Sequence, residues 1–151
     1  MVCIHFRWVA PADGEPRLST VGAGTERSLR VLVVDDDRAV REAAQELLER
    51  AGCTVEVAEN GEVAERLVIK GPAPDVLVLD LLMPVVDGPH LLEDLRRLPS
   101  FGSTRVVVVT GLTGRFIKDS LRVDSVLTKP IVPRELLESV RPNRPFNESK
   151  S

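Results

Sequence analysis

Cysteine is scarce in this chain, and the scarcity excludes two classes at once. Cys3 and Cys53 are the only two, they lie far apart, and they match no metal-ligand spacing, so neither a disulfide framework nor a zinc site is indicated. A surplus of one charge is missing as well. The 20 Lys and Arg against 23 Asp and Glu leave a net charge of -3, which gives no electrostatic reason to expect nucleic acid or an anionic membrane as a direct partner. Long apolar runs are absent too. The N-terminal VCIHFRWVA is interrupted by His5 and Arg7 and is too short for a secretory signal core or a membrane span. The expectation is a protein of the reducing cytoplasm, without a membrane partner. No internal repeat is present, and 151 residues, 43% of them hydrophobic, suit one domain with a real core.

What the chain does have begins at Leu29. Residues Met1 to Ser28 hold Pro11, Pro16 and three glycines without a helical or strand period, and read as a flexible extension. From there, strand and helix signals alternate. LRVLVV is a strand, followed by Asp35, Asp36 and Asp37, the last well placed to cap a helix over Arg38 to Ala51. That helix carries Val40, Ala43, Ala44, Leu47, Leu48 and Ala51 as one apolar stripe, and Gly52 ends it. A strand over Thr54 to Ala58 leads through Asn60-Gly61 into a helix that stops at Gly71-Pro72. The strand Asp75 to Asp80 is fully apolar until it ends in a carboxylate, and Asp87-Gly88 is a turn pair. Pro89 then suits the start of a helix with Leu91, Leu92, Leu95 and Leu98 inward, closed by Pro99. RVVVVT, Arg105 to Thr110, is the most β-branched run of all. A short helix from about Gly114 to Leu121, a strand Ser125 to Thr128 and a last helix from about Pro133 to Arg141 follow, and 142–151 reads as a flexible tail. Five strand–helix alternations in one domain, 29–141, predict an α/β fold: a three-layer, doubly wound, five-stranded parallel sheet.

In such sheets chemistry collects just beyond the carboxyl ends of the strands. Asp35 and Asp36 follow the first strand, Asp80 ends the third, Thr110 the fourth, and Lys129 follows the fifth. Singly, each has an ordinary explanation as a cap, a turn or loop material. Their arrival on one rim is harder to assign to solvation. Three adjacent carboxylates repel, which disfavours keeping all three ionised unless a cation compensates. Oxygen donors without His or Cys point to Mg²⁺. With that charge offset, Asp80 could attack phosphorus, since carboxylates do form aspartyl phosphates, while Lys129 and the Thr110 hydroxyl meet the phosphoryl oxygens.

The DDD after VLVV, the LLMPVVDG after Asp80, VVVVTG and VLTKP, in that order, resemble the receiver domain of two-component response regulators. The resemblance covers Leu29 to about Arg141. It implies a flavodoxin-like fold with strand order 2-1-3-4-5 and Asp80 as phosphoacceptor. It also implies Mg²⁺ held by Asp36, Asp80 and the Leu82 backbone carbonyl, with Asp35 supporting the ion through water. Thr110 and Lys129 match the phosphate-sensing hydroxyl and the ion-pairing lysine, and the Lys129-Pro130 bond is cis in the family. The implied partners are a sensor histidine kinase or a histidine phosphotransfer protein. Because no effector domain follows Pro142, a separate downstream effector protein is expected. The protein would not be an enzyme on other substrates, only assisting its own phosphorylation and dephosphorylation.

Departures from the family pattern refine these expectations. Where an aromatic often stands three residues before the lysine, this chain has Val126, and it contains no Tyr at all. The Thr110 to Lys129 spacing is about a helical turn short, and the last helix is also short, which puts the usual output face in question. Leu82 and Leu112, on the rim beside Asp80 and Thr110, lack a group to orient an attacking water, so a long-lived aspartyl phosphate is expected. The main alternative is a pseudo-receiver that binds partners without being phosphorylated. An aspartate-nucleophile phosphatase would need a second Asp where Leu82 stands, and a flavin carrier would have to bring its phosphate to three repelling acids.

Overall fold

The structure, a computed structural model, describes residues 5–9, 17–21, 28–81, 88–111 and 121–141. Strands β1 (His5–Val9) and β2 (Arg17–Val21) form an antiparallel hairpin with His5 opposite Val21 and Val9 opposite Arg17. A stretch expected to hold no strand therefore holds two. Its signal was in the sequence: Phe6, Trp8 and Val9 are residues that favour strands, and Pro11-Ala12-Asp13-Gly14 is turn chemistry. Five residues per strand were too short a pattern to stand out against the prolines and glycines around them.

The remaining strands, β3 (Arg30–Val34), β4 (Thr54–Ala58), β5 (Val76–Asp80), β6 (Arg105–Thr110) and β7 (Ser125–Thr128), form one sheet. Its order is β4-β3-β5-β6-β7 and every pairing is parallel. Counted within the sheet, that is 2-1-3-4-5, so the order reverses between β3 and β5. The strand period of two divides the core cleanly. Leu32, Val34, Leu77, Leu79, Val106 and Val108 face α2 (Gly61–Lys70) and α3 (Gly88–Arg96). Val31, Val33, Val76, Val78, Val107 and Val109 face α1 (Arg38–Arg50) and α4 (Pro133–Ser139). Each fully buried leucine or valine contributes roughly 1.5–3 kcal/mol, which makes the central strands the stable frame of the fold.

Local chemistry sets the element ends. The Asp37 carboxylate accepts from the Ala39 and Val40 amides at 2.9 and 3.4 Å to start α1, and Gly52, at φ 94°, provides the left-handed residue after it. Asn60 starts α2 by accepting from the Val63 amide at 2.9 Å. Acids at the amino ends of strands have structural duties: Asp75 accepts from the Arg30 amide at 2.8 Å and Asp124 from the Val106 amide at 2.7 Å. The last helix ends at Ser139, two residues before the expected Arg141. Its Ser139 carbonyl is taken by the Arg105 guanidinium at 2.8 Å, the Ser139 hydroxyl donates back to Leu136, and Pro142 disfavours helical backbone at Arg141.

The α1 stripe is not wholly covered. Val40 and Leu47 are half-buried and Ala43 is exposed, because they line an open groove of about 580 Å³ shared with Pro130, Ile131 and Pro133. The helix expected over Gly114 to Leu121 lies, except for its last residue, outside the described residues. Past it, Arg122 is held at φ 53°, and the Arg96 guanidinium donates to the Leu121 and Arg122 carbonyls at 2.6 and 2.7 Å. A left-handed residue other than glycine costs about 1–2 kcal/mol, partly offset in a glycine variant by the entropy of its unfolded chain. The Arg122 side chain is exposed and contributes little packing. Arg122→Gly is therefore expected to stabilise the protein by about 0.5–1 kcal/mol, read as a higher urea midpoint with an unchanged slope. A lower midpoint would show that the side chain matters more than the backbone.

Candidate functional site

The site is built where the strands stop. The Asp35 amide still belongs to the sheet, donating to the Ala58 carbonyl at 3.2 Å, but its side chain belongs to the rim. There Oδ1 accepts from the Asp37 amide at 2.8 Å and Oδ2 lies 3.0 Å from Lys129 Nζ. The Asp35 carbonyl accepts from Arg41 Nη1 at 2.8 Å. On the adjacent strand, Asp80 ends β5 with its Oδ2 3.3 Å from the same Lys129 Nζ. Thr110 ends β6, fully buried, and its carbonyl accepts from the Lys129 amide at 2.8 Å. The Lys129-Pro130 peptide bond is cis.

Asp35, Asp36 and Asp80 each offer a carboxylate oxygen within 4.8 Å of the others. Asp35 is 3% exposed and Asp80 4%, whereas Asp36 faces solvent. Even at that outer separation, two like charges repel by roughly 3–4 kcal/mol at an effective dielectric near 20. Lys129 answers part of this. Burial alone would push its ammonium down, but the Asp35 hydrogen bond and the charges of Asp35 and Asp80 reverse that, and it titrates above the ordinary lysine value. Among the described residues, one lysine against three acids leaves an excess of two negative charges on oxygen donors. Donor type and residual charge both fit a divalent hard cation such as Mg²⁺.

The geometry thus gathers Asp35, Asp36, Asp80 and Lys129, and joins Thr110 to them through the Lys129 backbone. Leu82 and Leu112, expected to modulate the rim, and the Leu82 carbonyl, expected to ligate the metal, lie outside the described residues. Two contributors escaped the sequence reading. Arg41 reads as an ordinary helix residue, although it stands one turn past the Asp37 cap, within reach of the loop. Gly88 reads as half of a turn pair. A Cβ there would meet the Leu81 Cα at 2.7 Å and the Asp80 carbonyl oxygen at 2.9 Å, so glycine is what lets α3 start against the backbone of Asp80 itself.

A family model described as the response regulator receiver domain matches residues 31–141. The chain belongs to that family. Such receiver domains serve response regulators in two-component systems, where they interact with histidine kinases and effectors. Among relatives, this receiver is similar to the response regulator MprA of Mycobacterium ulcerans, 41% identical over 118 residues that cover 76% of the chain and 49% of the relative. It is also similar to the protein PilG of Pseudomonas aeruginosa, 32% identical over 78% of the chain and 88% of the relative. It thus spans about half the length of the MprA proteins. Among solved structures, the chemotaxis response regulator CheY4 of Vibrio cholerae aligns with a TM-score of 0.70 at 27% identity, covering 76% of the chain and 97% of that one. The receiver domain of the Francisella response regulator 1452 aligns with 0.68 at 32%, covering 75% and 93%. Among the described residues of the receiver, no helix is long and apolar enough to cross a membrane.

Proposed function

We propose that this receiver is a phosphoacceptor switch: Asp80 takes a phosphoryl group from a phosphohistidine of a sensor kinase or phosphotransfer protein. The observation that carries the reading is the single lysine bridging two buried carboxylates, Asp35 at 3.0 Å and Asp80 at 3.3 Å, beside a third acid. A structural ion pair needs one acid per base. A surplus of acids around one base is costly unless a cation and a transferable anion use it.

In the transfer, an Asp80 carboxylate oxygen attacks phosphorus, the P–N bond to histidine breaks, and an acyl phosphate forms with the imidazole as leaving group. Mg²⁺, held by Asp35, Asp36 and Asp80 and, by resemblance, the Leu82 carbonyl, would supply charge neutralisation on the transferring oxygens. Asp35 holds Lys129 in place, and the Lys129 ammonium is near enough to Asp80 to pair with the new phosphoryl oxygens. Replacing a carboxylate by a phosphoryl group adds charge and acceptor oxygens, which can reorder the flanking loops and change binding to a separate effector protein. With Val126 where an aromatic often stands, packed on the core beside β6, that reordering does not work through a rotating ring.

The test is labelling of the purified chain by a small acyl-phosphate donor. One phosphoryl adduct per chain, seen by mass, is expected with Mg²⁺ and none with EDTA. No adduct under either condition would leave a phosphorylation-independent binding module.

A further inference from the structure

Arg41 grips the acidic loop twice. Its amide donates to the Asp37 carbonyl at 3.0 Å as the first turn of α1 closes, and its guanidinium donates to the Asp35 carbonyl at 2.8 Å. Asp36 lies between those two anchored carbonyls. Meanwhile the Asp35 amide is tied to Ala58 and the Asp35 carboxylate to Asp37 and Lys129. The remaining freedom of the loop is rotation of the peptide joining Asp35 to Asp36, and the Arg41 guanidinium is what holds its oxygen. The half-buried side chain runs from α1 to the end of β3, so the grip is set by packed elements.

We propose that Arg41 is a positioning residue for divalent-cation binding: by fixing the Asp35–Asp36 peptide it sets the spacing of those two carboxylates against Asp80. The inference rests on reading the three acids as a Mg²⁺ site, and Arg41 is not itself a ligand. Outer partners that orient metal ligands matter because a ligand free to rotate must be ordered at the cost of binding free energy.

Electrostatics makes the idea testable by sign. A guanidinium beside an acidic cluster repels an incoming cation, so if Arg41 were only a neighbouring charge, removing it would tighten Mg²⁺. If it positions the loop, removing it weakens Mg²⁺. The experiment is calorimetric titration of the full chain with MgCl₂ and no phosphodonor, alongside thermal melts in EDTA. Arg41→Met keeps the apolar stem and drops the donor. It is expected to bind Mg²⁺ roughly tenfold more weakly, the low end for an outer partner of a metal ligand, with a melt near that of the parent. Arg41→Lys, which restores a donor, is expected to recover part of the loss. Unchanged or tighter binding by Arg41→Met overturns the inference while leaving the Mg²⁺ site standing. No Mg²⁺ binding by the parent chain overturns the Mg²⁺ reading itself, and this inference with it. If Arg41→Met does not fold, Arg41→Leu, which likewise lacks both donor and charge, is read by the same signs.

Discussion

Asp80→Asn is expected to abolish acyl-phosphate labelling entirely while leaving a folded protein that is somewhat more stable than the parent in EDTA. The amide matches the carboxylate in shape, so the buried end of β5 keeps its packing, but a neutral amide oxygen is no nucleophile toward phosphorus. The stability gain follows from counting charges. Among the described residues, the parent Asp80 is attracted to one cation, Lys129, and repelled by two acids, Asp35 and Asp36, all within 4.8 Å or in direct contact. Removing its charge gives up one favourable pair and two unfavourable ones, for a net gain of about 1 kcal/mol once the open rim screens all three. Labelling by mass spectrometry and urea denaturation in EDTA check the two halves separately. An Asn variant labelled as well as the parent would place the acceptor elsewhere. One labelled not at all but much less stable would mean that the Asp80–Lys129 pair, and not the repulsion, dominates the apo site.

The parts of the fold legible in the sequence are those whose signal is local and repeated. VLVL before Asp80 and VVVV before Thr110 read as buried strands because a parallel sheet covered on both faces demands continuous apolar runs. Asp37 reads as a cap because its side chain answers the amides two and three residues on. The site was legible for the same reason: acids, a hydroxyl and a lysine each follow a strand, and parallel strands bring their carboxyl ends to one rim. What escaped depends on partners that cap, period and turn rules do not reach. The end of the last helix is decided by Arg105, thirty-four residues upstream, reaching the Ser139 carbonyl. The need for glycine at 88 comes from the Asp80 backbone, which no turn rule foresees. Arg41 looks like any arginine of a solvated helix face until the Asp35 carbonyl is seen beneath it. The uncovered part of the α1 stripe shows the converse error, since apolar periodicity says that a face is apolar and not that anything in the chain fills it.

Lys129→Met should have the largest effect on stability, and one that Mg²⁺ reverses. Without the ammonium, Asp35 and Asp80, both under 5% exposed, face each other and Asp36 and lose the cation at 3.0–3.3 Å. Breaking a buried ion pair from one side costs 3–5 kcal/mol, but Lys129 is itself 28% exposed and the rim admits solvent, so about 1–3 kcal/mol is expected in EDTA. The same loss deepens the negative potential, so Mg²⁺ should bind more tightly and return most of the stability. That is the opposite of the Arg41 variant, because Lys129 touches carboxylate oxygens and Arg41 a carbonyl. The pH dependence has a definite sign too. The Lys129 ammonium titrates above the ordinary 10.5, so its contribution is complete below that pH and is lost as pH rises through the folded-state value. Burial pushes the Cys53 thiol up to about 12 from 9.0, which also erodes stability in alkali, from pH 9 upward, but equally in parent and variant. With no tyrosine in the chain, the gap between the two denaturation curves in EDTA should hold level up to about pH 10 and narrow above it. A gap that stays constant to pH 12, or a variant as stable in EDTA as in Mg²⁺, would mean that Lys129 stabilises the rim by packing and not by charge.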